Sequence, residues 1–253
     1  MREFLGTVYK LLLVKYLRRL YHFGKVQNSH KEFLKKVKFS YQTHTDTLVN
    51  PLTLLSEKYG SDKGSTQLQN PYPWQPHSYT LFYHHIFANY REIVRNVFEC
   101  GIGSSDETII SNMSATGATG ASLKMWREYF PNANIFGADI DHKTLFQDSR
   151  ISTYQMDQTS QNSIQQYWMK LGDITFDLMI DDGLHSFLAG ITLFENSIHK
   201  LSDYGLYFIE DVNSFDLIKY REYFSLRNYK VEYITLYHGI NKVSDDCLIK
   251  ISN

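Results

Sequence analysis

The chain has few cysteines and no long apolar segment. Its two cysteines, Cys100 and Cys247, lie far apart in 253 residues, and each falls in a predicted strand. A free thiol in a buried strand acts as a small hydrophobe, so a reducing cytoplasm is expected and a disulfide-stabilised scaffold is not. The uninterrupted apolar run near the N-terminus, residues 11–14, is far shorter than the ~20 residues of a membrane span, and no signal-peptide cleavage site follows it.

Positive charge is scarce outside the N-terminal segment. The first 38 residues hold ten Lys and Arg against two Glu, although the formal net charge of the chain is only -1. The remainder is therefore acidic and a poor nucleic-acid binder. Leu5, Val8, Leu17 and Leu20 follow helical spacing among the basic residues and predict an amphipathic helix. We expect this helix to pack on its own domain or on a second subunit of a homo-oligomer, with peripheral membrane contact as the alternative.

Strand and helix patterns alternate from residue 97 onwards. Strands are predicted over residues 97–102, 134–140, 152–156, 176–180 and 206–209, and helices over 122–130, 164–171, 187–201 and 215–227. This alternation predicts crossover helices on a doubly wound parallel sheet. Residues 231–237 and 247–251 should add a hairpin whose last strand is antiparallel. We expect an α/β, Rossmann-like, mostly parallel sheet of about seven strands in a domain over 51–253, after a helical basic arm over 1–50.

Acidic pairs follow two of the predicted strands. Asp181 and Asp182 follow one strand, and Glu210 and Asp211 follow the next. Because parallel strands bring their carboxyl ends to one edge of a sheet, these carboxylates should meet there as oxygen ligands for a divalent cation. His185 alone would fit a helix-capping or core position. Beside a metal held by Asp182, Glu210 and Asp211, it is placed to act as a general base that deprotonates a hydroxyl.

The dinucleotide-binding fingerprint is incomplete after the first predicted strand. Gly101 and Gly103 follow Glu99 and allow the backbone to approach a ligand, but Asp106 stands at the position of the third glycine. An acidic residue there would repel a pyrophosphate, so NAD is not expected. S-adenosylmethionine has no phosphate and carries a sulfonium and an ammonium, for which Glu99 and Asp181 are candidate electrostatic partners.

Candidate cofactor contacts also follow the next two strands. Asp139 is placed to bind ribose hydroxyls, and Asp157 and Gln158 to contact the adenine edge. Upstream, Lys63 lies in the glycine-flanked loop 60–65, which fits either a loop over an anionic ligand or a solvated turn. The ordered set of these residues predicts a nucleotide-like cofactor.

Seven segments carry a family resemblance, over roughly residues 54–212: 60–64, 99–103, 120–126, 137–140, 157–158, 181–185 and 209–211. They resemble the class I S-adenosylmethionine-dependent O-methyltransferases, and most closely the metal-dependent macrolide-sugar (mycinamicin-type) 2-O-methyltransferases. The resemblance implies that Asp182, Glu210 and Asp211 bind Mg²⁺ or Mn²⁺ and that Asp182 and His185 are catalytic. It also implies a cofactor contact by Ser122. Where this family has adjacent glycines, Thr119 and Gly120 stand here, after an insertion rich in Ser, Thr and Gly.

The acceptor is less well defined than the reaction. The chain is also similar to bacterial methyltransferases that act on the phosphoramidate of capsular polysaccharides. We therefore expect Mg²⁺-dependent O-methyl transfer to a hydroxyl, or a phosphoramidate oxygen, of a bacterial saccharide or related small polar acceptor. Two alternatives stay open: a catechol-type metal-dependent methyltransferase, and a non-catalytic S-adenosylmethionine-binding or membrane-surface scaffold protein.

Overall fold

The computed structural model describes residues 39–43, 49–66, 72, 74–238 and 247–253. The basic helix predicted near the N-terminus lies outside these residues and stays a prediction. The division of the chain into an arm over 1–50 and a domain over 51–253 stays a prediction as well. In the described part, no helix has both the length and the apolar character needed to cross a membrane.

One sheet of nine strands organises the described residues. The strands are β1 Phe39–Thr43, β2 Asn96–Cys100, β3 Asn134–Asp139, β4 Gln147–Asp148, β5 Ile151–Gln155, β6 Phe176–Asp181, β7 Leu201–Ile209, β8 Lys230–His238 and β9 Cys247–Ser252. Their order across the sheet is β1-β8-β9-β7-β6-β2-β3-β5-β4. The five strands from β7 to β5 are parallel, whereas β9 is antiparallel to both β7 and β8.

Six α-helices connect these strands within the described ranges: α1 Pro51–Tyr59, α2 Tyr79–Phe87, α3 Ala121–Tyr129, α4 Gln161–Leu171, α5 Phe187–Ser197 and α6 Ser214–Ser225. Local sequence sets several of their ends. The side chain of Asn50 caps α1 by accepting from the N–H groups of Leu52 and Thr53 at 2.9 and 3.0 Å. Gly60 ends the same helix in a left-handed conformation, with φ of 76°.

Alternate residues of the central strands face two helical layers. Val97 of β2 belongs to the core cluster that contains residues of α1, α2 and α3. Phe98, its neighbour, packs against Trp168 of α4, with ring centroids 4.8 Å apart. On β7, Phe208 belongs to the first core and Tyr207 packs against Phe194 of α5. The period of two along each strand thus buries both faces of the sheet.

The predicted fold class is confirmed, including the antiparallel last strand. The sheet has two strands more than the expected seven, because β1 and β4 pair at its edges. The two residues of β4 are both polar and exposed, so no apolar alternation marks them in the sequence. The helix predicted over 187–201 ends at Ser197, and a 3₁₀ turn, Ile198–Lys200, leads into β7.

Candidate active site

The acidic pairs meet at the carboxyl edge of the sheet. Asp181 at the end of β6 lies beside Cys100 of β2 and Ile209 of β7. The N–H of Asp182 donates to the carbonyl oxygen of Cys100, and that of Glu210 to the carbonyl oxygen of Asp181, both at 2.9 Å. The sheet register therefore places the two acidic pairs side by side, as the sequence predicts.

A cavity of about 360 Å³ opens at this edge. Most of the predicted site residues line it: Lys63, Gly101, Gly103, Ser122, Asp139, Asp157, Gln158, Asp182, His185, Glu210 and Asp211. His77 and Tyr79 line it too, from the segment that leads into α2. A volume of this size fits a small-molecule site.

Gly101 and Gly103 bring the backbone after β2 close to the other strand ends. Both have left-handed conformations, with φ of 88° and 86°. A Cβ at Gly101 would lie 2.0 Å from the backbone oxygen of Asp182, and one at Gly103 would lie 2.1 Å from Sδ of Met113. Because a backbone atom cannot yield as a flexible side chain can, position 101 admits only glycine.

Asp139 is held at the end of β3 by backbone donors. Its Oδ2 accepts from the N–H of Ile102 and its Oδ1 from the N–H of Asp141, both at 2.9 Å. Burial raises the pKa of Asp139, while these N–H groups favour its charged form. Each carboxylate oxygen can accept a second hydrogen bond, so Asp139 is able to bind hydroxyl groups of a ligand in the cavity.

Glu99 and Asp181, the predicted electrostatic partners of the cofactor, do not line the cavity. Glu99 is fully buried, and its Oε2 accepts from Nε1 of Trp126 at 2.8 Å. Asp181 is also buried, and its Oδ1 accepts from Nε2 of Gln158 at 3.0 Å. The strand-end positions were predicted correctly, but the pleat directs these two side chains to partners inside the protein.

Gln158 and Asp157 do line the cavity, yet both also make hydrogen bonds within the fold. Gln158 accepts from the N–H of Leu184 at 2.6 Å, which fixes the loop between Asp182 and α5. Asp157 accepts from the N–H and the hydroxyl of Thr159 at 2.8 and 2.6 Å. Contact with the adenine edge stays a prediction for both residues.

Asp182, His185 and Asp211 form a compact group of candidate metal ligands. One atom from each lies within 4.8 Å of the others. Nε2 of His185 is 3.3 Å from Oδ1 of Asp182 and 3.6 Å from Oδ2 of Asp211. His185 and Asp211 have φ of 52° and 53°, a left-handed conformation that is uncommon for residues other than glycine and frequent at functional sites.

The surrounding carboxylates control the charge of His185. Burial lowers the pKa of His185, but the hydrogen bond to Asp182 and the charges of Asp211 and Asp182 outweigh burial and raise it to about 9. In the absence of a cation, the imidazole therefore carries a proton at neutral pH. Asp182 is affected in the opposite sense: burial raises its pKa, yet Lys63 and His185 outweigh burial and lower it.

Lys63 lies among carboxylates rather than in an open anion-binding loop. Its side chain is 2% exposed, and Nζ is 3.2 Å from Oε1 of Glu99 and 2.6 Å from Oδ2 of Asp182. Nζ also donates to Oε2 of Glu210. Burial lowers the pKa of Lys63, but Asp182, Glu210 and Glu99 together raise it well above its usual value. The lysine borders the cavity, but its charge is neutralised by protein groups.

Glu210, the third predicted metal ligand, lies outside the compact group of Asp182, His185 and Asp211. It is almost fully buried, and its Oε1 accepts from the hydroxyl of Tyr83 at 2.5 Å. Its other oxygen accepts from Lys63. Burial raises the pKa of Glu210 to about 8 in spite of the lysine. Tyr83 and Lys63 thus use both oxygens of this carboxylate.

Two residues of the site were not predicted from the sequence. Ser111 Oγ donates to the carbonyl oxygen of Gly183 at 2.7 Å and lies 3.5 Å from Nδ1 of His185. Tyr83, on α2, holds Glu210. Ser111 lies in the Ser-, Thr- and Gly-rich insertion, which has no periodic pattern, and Tyr83 belongs to an aromatic helix that resembles ordinary core.

Comparison with known proteins gives relatives but no family model that matches the chain. The chain is similar to the 8-demethyl-8-alpha-L-rhamnosyl tetracenomycin-C 2'-O-methyltransferase of Streptomyces olivaceus, at 32% identity over 160 residues, or 63% of this chain and 37% of the relative. It is also similar to the mycinamicin VI 2''-O-methyltransferase of Micromonospora griseorubida, at 32% identity over 136 residues, or 54% of this chain and 32% of the relative.

A solved structure agrees with these relatives. The methyltransferase MycE from the mycinamycin biosynthetic pathway, in complex with Mg and SAH, matches with a TM-score of 0.52 and 30% identity, over 64% of this chain and 37% of that chain. This chain spans less than half the length of each of these three proteins. The family resemblance predicted from the sequence motifs is confirmed.

Proposed function

We propose that this chain, which has the class I S-adenosylmethionine-dependent methyltransferase fold of the sugar O-methyltransferases it resembles, is itself an O-methyltransferase. The methyl group would pass to a hydroxyl of a small saccharide-linked acceptor. One observation carries the proposal: the glycine-containing wall of the cavity and the group of Asp182, His185 and Asp211 line the same space. A cofactor and an acceptor bound there would be in contact with each other.

The cavity wall fits S-adenosylmethionine. At Gly101 the absence of a side chain allows a ligand to approach the backbone. Asp139 can accept hydrogen bonds from ribose hydroxyls, and the apolar side chains of Ile109, Met113 and Met156 line the same cavity. A mostly apolar wall with a few fixed polar groups is typical of small-molecule sites.

The carboxylates of Asp182 and Asp211, beside His185, fit a divalent cation. Their oxygens are hard ligands that suit Mg²⁺ or Mn²⁺, and the ring of His185 would then remain available as a base. When bound, the cation would acidify the acceptor hydroxyl and the cofactor would supply an electrophilic methyl group.

His185 would act as the base for the acceptor. Its ring would accept the hydroxyl proton, so that the acceptor oxygen could form a bond to the methyl group as the bond from that group to the sulfonium breaks and S-adenosylhomocysteine is left. This role requires a neutral imidazole, whereas Asp182 and Asp211 keep it protonated in the absence of a cation. Asp182 and Asp211 would hold the cation, and its positive charge would oppose their field and lower the pKa of His185 towards neutrality.

Relatives suggest the class of acceptor. Their names refer to rhamnosyl tetracenomycin and to mycinamicin VI, which supports an acceptor that carries a sugar. A phosphoramidate oxygen of a capsular saccharide, with a role in capsule polysaccharide biosynthesis, is the narrower form of the proposal. Cys100 and Cys247 are both buried as thiols, which supports a reducing cytoplasm.

The proposal also covers the binding partners of the protein: a small-molecule acceptor, and a second subunit or a membrane surface. The acidic balance of the chain beyond residue 38 supports a small-molecule acceptor rather than nucleic acid. Subunit association or peripheral membrane contact would involve the basic N-terminal arm. Sedimentation and liposome flotation of the protein with and without residues 1–38 separate these two roles, because loss of association lowers the number of chains per particle, whereas loss of membrane contact abolishes flotation.

Calorimetry and a product assay test the function. S-adenosylmethionine or S-adenosylhomocysteine should bind and raise the melting temperature by mass action, and NAD should do neither. Formation of S-adenosylhomocysteine should then require an acceptor from a panel of glycosides, sugar nucleotides, phosphoramidates and catechols. Binding of NAD with equal affinity, or turnover with catechols alone, would contradict the proposal.

A further inference from the structure

The helix that follows His185 begins without a cap of its own. Ser186 stands at the N-cap position of α5, but its side chain makes no capping hydrogen bond. The first N–H groups of a helix have no acceptor within that helix, so they need a partner from elsewhere. The N–H of Phe187, the first residue of α5, donates to Oδ2 of Asp216 at 3.0 Å. A carboxylate of α6 thus supplies the acceptor that α5 lacks locally, and the N-terminus of a helix favours a negative charge.

Asp216 is itself oriented by its neighbours on α6. Asn213 caps α6 by accepting from the N–H groups of Phe215 and Asp216, both at 3.0 Å. Nδ2 of Asn213 also donates to Oδ2 of Asp216 at 3.2 Å. Nζ of Lys219 donates to the other carboxylate oxygen, Oδ1, at 2.7 Å. The side chain of Asp216, only 13% exposed, is therefore held with Oδ2 towards the start of α5.

His185 lies between two hydrogen bonds that fix the backbone on either side of it. On one side, the N–H of Leu184 donates to Oε1 of Gln158 at 2.6 Å. On the other side, the N–H of Phe187 donates to Asp216. His185 has a left-handed φ of 52°, a conformation that persists only where neighbouring contacts enforce it. Asp216 supplies the contact on the helix side.

The same hydrogen bond joins the loops after two neighbouring strands. His185 lies between β6 and α5, and Asp211 lies between β7 and α6. Asp216 belongs to the first turn of α6, so its bond to the start of α5 connects these two loops. The donor is a backbone N–H outside the candidate metal ligands, and the contact therefore does not depend on a bound cation.

We propose that Asp216 is a positioning residue for the reaction: it caps α5 from α6 and so holds the imidazole of His185 where the acceptor hydroxyl would bind. The effect on turnover rests on the proposed function, whereas the placement of the ring does not. Asp216 does not line the cavity of about 360 Å³, so it acts without contact to cofactor or acceptor. It lies beyond the seven segments that carry the family resemblance.

Substitution of Asp216 in the full chain tests this role. Asp216→Ala removes the capping acceptor and should lower kcat about 10-fold or more, because small displacements of a reacting group are costly. The KM for the acceptor and the affinity for S-adenosylhomocysteine should change by less than about threefold, since the wall of the cavity is unchanged. Asp216→Asn keeps an oxygen that can accept from Phe187, and should restore kcat to within about threefold of the wild type.

Asp177→Ala is the matched control for loss of a carboxylate that accepts from backbone N–H groups. Oδ2 of Asp177, at the amino end of β6, accepts from the N–H groups of Arg95 and Asn96 at 2.7 and 3.2 Å. Asp177→Ala and Asp216→Ala should lower the melting temperature by similar amounts. Only Asp216→Ala should lower kcat, measured where both variants are folded.

A second pair of variants removes the donor in place of the acceptor. Phe187→Pro eliminates the N–H, and proline is favoured at the first position of a helix. The extended backbone of Ser186 is also compatible with a following proline. Phe187→Ala removes the same ring from its contact with Tyr220 but keeps the N–H. We expect kcat to be about 10-fold lower in Phe187→Pro than in Phe187→Ala, a comparison that stands even if Asp216→Ala fails to fold.

The ring signals of His185 in ¹H–¹⁵N spectra, with S-adenosylhomocysteine bound, give a measurement that needs no turnover. They should shift in Asp216→Ala, return towards the wild-type positions in Asp216→Asn and stay unchanged in Asp177→Ala. Unchanged ring signals in Asp216→Ala, or an equal fall of kcat in Asp177→Ala, would overturn the inference. If the wild type transfers no methyl group to any acceptor, the proposed function fails, and the ring signals alone then decide the placement of His185.

Discussion

The two parts of the cavity wall hold their charged groups by different means. In the cofactor wall (Gly101, Gly103 and Asp139), the carboxylate of Asp139 is fixed by two backbone N–H groups. In the carboxylate cluster (Lys63, Asp182, His185, Glu210 and Asp211), side chains hold one another: Lys63 contacts Asp182 and Glu210, and His185 contacts Asp182 and Asp211. Lys63 is 119 residues from Asp182 and 147 from Glu210 along the chain. The cofactor wall is therefore built by local backbone geometry, and the cluster by long-range pairing of charges.

This contrast predicts how each part of the cavity wall responds to substitution. A change in the cofactor wall should act through shape, because the groups there are backbone atoms in close contact. A change in the carboxylate cluster should act through charge, because buried carboxylates and cations balance one another. The two parts should therefore respond separately to substitution.

Gly101→Ala should damage the cofactor wall most. The new Cβ would lie 2.0 Å from the backbone oxygen of Asp182, in a left-handed conformation that already disfavours alanine. We expect a loss of about 3 kcal/mol or more in the free energy of unfolding and no measurable S-adenosylmethionine binding. Thermal unfolding and calorimetry measure the two effects.

Gly172→Ala is the matched control for conformation without crowding. Gly172 also has a left-handed φ of 69°, but a Cβ there would meet nothing within 4 Å. Because the ψ of Gly172 is -140°, outside the left-handed helical region, alanine there should lower the free energy of unfolding by about 1–3 kcal/mol and leave cofactor binding unchanged. Equal effects of the two substitutions would show that crowding at Gly101 is unimportant and that the cofactor wall does not depend on shape.

Removal of divalent metal should affect the carboxylate cluster alone. Chelation should abolish turnover and Mg²⁺ should restore it, because Asp182 and Asp211 keep His185 protonated without a cation. The protein should stay folded, since Lys63 already balances the buried carboxylates. S-adenosylhomocysteine affinity, measured with and without chelator, should change by less than about threefold. Loss of that affinity in chelator would show that the two parts are not independent.

Substitution of His185 should lower turnover without affecting the cofactor wall. His185→Asn is preferable to alanine, because asparagine tolerates the left-handed conformation at this position. We expect turnover to fall by about 10²-fold or more, the usual contribution of a positioned general base, with cofactor affinity unchanged. His199→Asn, outside the described cavity wall, is the control. Turnover at the wild-type rate in His185→Asn would remove the histidine from the mechanism.

The fold and the residues of the cofactor wall could be predicted from the sequence because both depend on local patterns. Period-two apolar strands, helical segments and glycines after β2 place Gly101, Gly103 and Asp139 without knowledge of distant contacts. Acidic pairs at two strand ends likewise place Asp182 and Asp211 together, since parallel strands end at one edge.

The sequence alone could not predict which side chains the charged groups contact. Nothing near Lys63 in the chain indicates three carboxylates around it, because they come from β2 and from the ends of β6 and β7. The same reason explains Glu99 and Asp181: their positions were predictable, but their directions depend on the pleat and on Trp126 and Gln158. Long-range pairing of side chains has no local signal.

Substitution of Ser111 should have the smallest effect on turnover. This residue connects the insertion after β2 with the carboxylate cluster, because it contacts Gly183 and His185. Its hydroxyl proton is donated to Gly183, so towards Nδ1 of His185 the oxygen can only accept, which favours a proton on Nδ1. Ser111→Ala removes one neutral hydrogen bond and this preference, at a cost of about 1 kcal/mol, or roughly fivefold in turnover.

Thr108→Ala, on the same insertion, is the control for Ser111→Ala, because the hydroxyl of Thr108 donates to Asp106 rather than to a residue of the cluster. It should leave turnover unchanged, and both variants should bind S-adenosylhomocysteine like the wild type. The ¹⁵N shifts of the His185 ring should change in Ser111→Ala alone, a readout independent of turnover. If cofactor affinity falls with turnover in Ser111→Ala, the insertion belongs to the cofactor wall, and the boundary between the two parts lies on the other side of Ser111.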